Sequence, residues 1–129
     1  MREILFRGKR VDNDAWVEGL LTIIWGQYHI IQPNDENTAY PIILKTIGQY
    51  TGLTDKNGTK IFEGDILDFS DRSDGDGYGA VQYDADETEF GIMYDSIYEG
   101  LGRHYYSKDI EVIGNIYDNP ELVGDENND

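Results

Sequence analysis

No cysteine occurs among these 129 residues, so the chain has no disulfide, no thiolate metal ligand and no thiol nucleophile, a composition that suits a reducing compartment. Histidine is nearly missing as well. His29 and His104 stand far apart with no His-x-x-x-His spacing, which leaves a nitrogen-ligated zinc site without a ligand set. No apolar run approaches the ~18 residues of a membrane-crossing helix. The first ten residues lack the apolar stretch and small-residue cleavage site of a secretion signal. Basic residues are few: 10 Lys and Arg face 26 Asp and Glu, for a net charge of −16. The one basic cluster, Arg7, Lys9 and Arg10, is too short to track a phosphate backbone, which disfavours direct nucleic-acid binding. These absences predict a soluble, cytoplasmic protein with no membrane segment, no metal and no cofactor.

The charge that is present is unevenly placed. Residues 1–64 carry seven basic and eight acidic residues, whereas residues 65–129 carry three and eighteen. The second half therefore holds −15 of the −16, much of it within 68–76, 84–89 and the last six residues. Such a field solvates loops, and it also suits docking to a basic partner or imitation of a nucleic acid.

Strand signals dominate the pattern. Residues 4–6 open the chain as a short apolar run, and residues 12–14 read as a turn. Residues 16–25 read as a long strand, with Val17, Leu21, Ile23 and Trp25 on one face. Gly26-Gln27 then suits a type II′ hairpin into residues 28–31. Short extended pieces are expected at 41–44 and 47–50. Asn57-Gly58 is the strongest local signal, a reversal in which both residues tolerate positive φ, returning through Lys60-Ile61-Phe62. Residues 65–69 are expected as a half-buried strand. A polar glycine-rich loop is expected at 70–79, a second hairpin from 80–83 and 89–93, a single helical turn at 95–101 and a last strand at 110–117. The fold class predicted is all-β, with at most short helical turns: a small barrel or barrel-like sandwich. Glu63-Gly64-Asp65-Ile66 resembles the start of an SH3-like barrel in the C-terminal half. Residues 1–123 read as one β domain and 124–129 as a flexible acidic tail.

No residue pattern assembles a catalytic site. An EF-hand loop placed over 68–83 fails in both registers: with Gly77 at its sixth position Arg72 falls first and Tyr83 twelfth, and with Gly75 there Arg72 falls third and Val81 twelfth. Gly75, Gly77 and Gly79 lead into no helix and so cradle no phosphate. Carboxylates are plentiful enough for a glycosidase-type pair, but most lie in loops open to water, where neither pKa is raised. Seven of the ten tyrosines fall in the acidic half, and tyrosine supplies contact area at low entropic cost. The candidate interaction patch is therefore acidic and aromatic: Asp71, Asp74, Asp76, Asp84, Asp86 and Glu87, with Tyr94, Tyr98, Tyr105 and Tyr106.

Three stretches carry a family resemblance. Residues 2–9 (REILFRGK) precede Trp16-Val17-Glu18-Gly19, residues 47–58 (IGQYTGLTDKNG) run into residues 61–66 (IFEGDI), and residues 113–122 read IGNIYDNPEL. In this order they resemble the YopX family of phage and prophage proteins, from end to end and least across 70–105. The resemblance implies a small β-rich protein in a bacterial cytoplasm and brings no catalytic residue with it. The expected role is a non-enzymatic binding or assembly module, with an unknown protein partner of basic character or a homo-oligomer as its counterpart. An acidic decoy for a basic host protein is the alternative, and a carboxylate-dependent hydrolase a more distant one.

Overall fold

A computed structural model of the chain describes residues 3–68, 78–85, 89–94, 97–100 and 110–123. The all-β expectation holds: the described elements are eleven strands and two 3-10 turns, Leu44–Thr46 and Pro120–Val123. Among them no helix is long and apolar enough to cross a membrane. The strands form two antiparallel sheets. As described, each sheet is open, with different strands at its two ends, so these strands close no barrel.

The chain divides into two compact units, Met1–Gly52 and Leu53–Asp129. The first holds β1 (Phe6–Lys9), β2 (Trp16–Ile24), β3 (Gln27–Ile31), β4 (Ala39–Pro41) and the start of β5 (Gly48–Thr54), in the order β4-β3-β2-β1-β5. Alternation builds its core. Val17 and Ile30 point inward with Ile42, and Phe6, Leu21, Tyr40 and Ile47 pack against them. Gly19 is also inward, and a Cβ there would run into the Ile31 carbonyl of β3, so this position admits only hydrogen. The Thr46 hydroxyl accepts the Lys9 N–H at 2.9 Å and donates to the Ile43 carbonyl at 2.6 Å, fastening the first 3-10 turn to β1.

The second unit holds the end of β5, then β6 (Lys60–Phe62), β7 (Asp65–Asp68), β8 (Tyr78–Asp84), β9 (Glu89–Tyr94), β10 (Ile97–Gly100) and β11 (Glu111–Asn115). Here β6 joins β5, while the other five strands form a sheet in the order β10-β9-β8-β7-β11. Its core is Ile61, Leu67, Val81 and Ile110, with Phe90 and Val112 packed on it.

Several elements depart from the expectations. Residues 97–100 are β10, paired from Ile97↔Tyr94 to Gly100↔Gly91, where a helical turn was expected. A segment this short cannot hold a helix by itself, and a neighbouring strand supplies the hydrogen bonds that a lone turn lacks. β7 is buried on both faces, Asp65 included, and lies between β8 and β11; the expected half-buried strand is a central, covered one. At the reversal after β5 only Gly58 takes positive φ (82°); Asn57 stays out of the left-handed region because the Asp55 side chain holds its N–H. Of the glycine-rich loop expected at 70–79, Tyr78 and Gly79 instead open β8, while 70–77 and the tail 124–129 lie outside the described residues.

Candidate interaction surface

The β2–β3 hairpin reverses one residue earlier than expected. Ile24 pairs with Gln27, so the two turn residues are Trp25 (φ 54°) and Gly26 (φ 77°). Positive φ at both positions makes this a type I′ turn, whose twist matches that of the flanking strands. Glycine fits such a turn at no cost, whereas a bulky aromatic in the left-handed region is a true outlier. Trp25 is also 99 % exposed. Beside it, Ile23 is 58 % exposed on the inward face of β2, and Leu20 (59 %) and Ile24 (37 %) are exposed on the opposite face. The hairpin thus runs out beyond the core, which ends near Leu21, and carries apolar side chains on both faces. No charged residue occurs from 19 to 34, in a chain where 28 % of residues are charged.

The two buried carboxylates, Asp55 and Asp65, are used structurally. Asp55 is 3 % exposed, yet its Oδ1 accepts the N–H groups of Asn57 and Thr59, both at 2.9 Å, and its Oδ2 accepts that of Val112 at 2.8 Å. One side chain therefore shapes its own turn and ties it to β11. Burial pushes the Asp55 pKa up, but the hydrogen bonds from Val112, Thr59 and Asn57, with that of the Thr59 hydroxyl, outweigh it and hold the group below the ordinary carboxylate value. Asp65, 1 % exposed, accepts the Phe62 N–H at 2.8 Å across the tight turn at Glu63-Gly64, where Gly64 has φ 90°.

The small basic cluster is engaged locally. The Arg7 guanidinium lies 4.7 Å and the Lys9 ammonium 5.5 Å from the Trp16 ring centre. Arg10 lies 4.2 Å from the centre of Tyr40 and forms a 2.7 Å ion pair with exposed Asp12. Nδ1 of His29 donates to the Gln27 carbonyl across 2.8 Å. Among the described residues, no three His, Asp or Glu side chains gather as a metal ion would need.

The acidic and aromatic patch expected from the sequence is only partly described. Asp84 ends β8 opposite Glu89, Tyr94 ends β9 opposite Ile97, and Tyr98 lies in β10 opposite Met93. Asp71, Asp74, Asp76, Asp86, Glu87, Tyr105 and Tyr106, with His104, lie outside the described residues. Among the exposed apolar residues, Leu20, Ile23, Ile24 and Trp25 fall together on one hairpin that sequence reasoning did not single out. Two signals mark them: the uncharged run, and apolar residues on both faces of a strand that needs only one buried.

None of the curated proteins matches this chain. Among solved structures, protein EF1440 from Enterococcus faecalis superposes with a TM-score of 0.57 at 24 % identity, over 95 % of this chain and 99 % of that one, a likeness of fold. The family model described as YopX protein matches residues 6–124, which includes the motifs at 47–66 and 113–122. The chain belongs to the YopX family.

Proposed function

We propose that this chain is a non-enzymatic binding or assembly module, phage- or prophage-encoded and acting in a bacterial cytoplasm, and that its β2–β3 hairpin is the contacting element. The observation that carries this reading is the exposed, uncharged apolar tip formed by Leu20, Ile23, Ile24 and Trp25. Tryptophan is the residue type most often found to dominate an interface, and an aromatic kept in a strained, fully exposed position costs stability that contact with a partner offsets. The engagement of Asp55 and Asp65 with backbone N–H groups supports a structural rather than a chemical role for these carboxylates. The test is light scattering on the purified chain together with affinity capture from bacterial lysate, using wild type and Trp25→Ala. Association or capture that the variant loses supports the reading. A chain that neither associates nor captures anything through the hairpin ends it.

Charge segregation favours a second reading, an acidic decoy for a basic protein. The two units carry five basic against six acidic residues (−1) and five against twenty (−15). Capture of a basic protein that disappears as salt is raised, and survives Trp25→Ala, would select this reading over the first.

A further inference from the structure

Building on the reading of the chain as an assembly module, we propose that two copies pair edge to edge through β2, antiparallel and centred on Thr22, to form one continuous sheet. The argument starts from the backbone. β1 pairs with β2 only from Trp16 to Gly19, while β3 pairs with it from Leu20 to Ile24. Among the described residues, the 20–24 stretch therefore has a strand on one side alone. In an antiparallel ribbon closed by a two-residue turn, the pair flanking the turn exchanges hydrogen bonds, and every second pair does so after it. Ile24↔Gln27, Thr22↔His29 and Leu20↔Ile31 are those pairs. The N–H and C=O groups of Leu21 and Ile23 consequently point away from β3, towards the open side. Residues 3–5 continue from β1 on that side and add no rung to its ladder with β2; the Leu5 carbonyl points the other way, to β5, where it accepts the Tyr50 N–H at 2.8 Å.

Sheet edges are ordinarily protected by a charge, a proline or a bulge. This one has none of them: residues 20–24 read LLTII, with high strand propensity and no charge. An open edge accepts any extended strand, but this sequence suits a second copy of itself. It is apolar, apolar, threonine, apolar, apolar, and so reads alike in both directions about Thr22. A twofold axis at Thr22 sets Leu21 opposite Ile23 of the other copy and Leu20 opposite its Ile24. All four outward N–H groups and carbonyls then find partners, in four hydrogen bonds, and every apolar side chain meets another. A shift of the pairing by two residues leaves half of those groups unpaired. Electrostatics points the same way. Copies that each carry −16 meet at least repulsion through the longest uncharged stretch of the chain.

The absence of cysteine makes the register directly testable. Thr22 pairs with Thr22 of the other copy at a non-hydrogen-bonded position, where facing Cβ atoms lie about 4.5–5.5 Å apart, within reach of a disulfide after a small adjustment. Under mild oxidation, Thr22→Cys is expected to form disulfide dimers at least roughly tenfold faster than Asn34→Cys, an exposed control in the same unit, because pairing raises the effective thiol concentration. In light scattering, the wild type is expected to dimerise with concentration and Ile23→Lys, at an exposed side chain, to stay monomeric with an unchanged circular-dichroism spectrum. A monomeric wild type overturns the proposal, as does equal oxidation of the two cysteine variants or a dimer that Ile23→Lys leaves intact. A monomer that still captures another protein through the hairpin removes the self-pairing and keeps the binding reading; a monomer that captures nothing removes both.

Discussion

The Asp55 carboxylate receives three backbone N–H groups, so its removal reaches further than one turn. Asp55→Ala leaves those donors without their partner in a buried setting, a loss on the order of 3 kcal/mol, which urea unfolding would measure. Protonation acts in the same direction. The folded pKa of Asp55 lies below the ordinary value, so the unfolded chain takes up the proton first. The stabilisation is complete above the ordinary carboxylate pKa of ~3.9 and is lost as pH falls through the lower folded value. Between pH 5 and the acid limb, wild type is therefore expected to lose stability faster than Asp55→Ala, and parallel curves would refute the assignment. Trp25 has the opposite sign. Because asparagine tolerates the left-handed region, Trp25→Asn is expected to stabilise the isolated chain by about 0.5–1 kcal/mol. A lower midpoint in urea would mean that the ring makes intramolecular contacts its exposure does not suggest.

At the scale of elements, the β2–β3 hairpin depends on Gly19. Gly19→Ala drives a Cβ into the Ile31 carbonyl and is expected to cost about 1–3 kcal/mol, seen as a lowered melting temperature. An unchanged melting temperature would show that β3 yields at no cost. This pair of strands also shows how far a local reading reaches. Alternation placed Val17, Leu21, Ile23 and Trp25 on one face; Val17 and Leu21 do pack in the core, because the period of two is a property of the strand itself, whereas Ile23 is exposed and Trp25 lies in the turn. The turn was placed one residue late, since Gly26 alone suits more than one turn type and twist matching decided between them. Residues 97–100 were beyond local reading: their pattern is too short to declare a period, and only β9 makes them a strand. Burial of β7 was misread: Asp65 and Asp68 stand three apart and fall on opposite faces, each beside an apolar residue, so the pattern marks no single solvent face.

At the scale of the whole molecule, charge is the governing feature. The Leu53–Asp129 unit holds a net −15, and like charges within a Debye length repel. Raising salt from about 10 mM to about 300 mM shortens that length roughly fivefold and is expected to raise the melting temperature. A flat profile by calorimetry would mean that the acids are spaced too widely to interact. The same field limits where a second copy can approach, which is why the uncharged hairpin matters to assembly.

The sequence by itself determined the strand-rich class, the turns at Asp55 to Gly58 and Glu63-Gly64, the family and the lopsided charge. Each of these depends on composition, a period of two or residues adjacent in the chain. Tertiary structure decided what depends on distant partners: that Asp55 reaches Val112, that β7 is central, and that the core ends before Ile23. The hairpin at residues 16–31 divides along the same line. Its apolar sequence was plain from the start, but whether apolar means buried is settled by what packs over a strand, and the described chain leaves Leu20, Ile23, Ile24 and Trp25 in solvent.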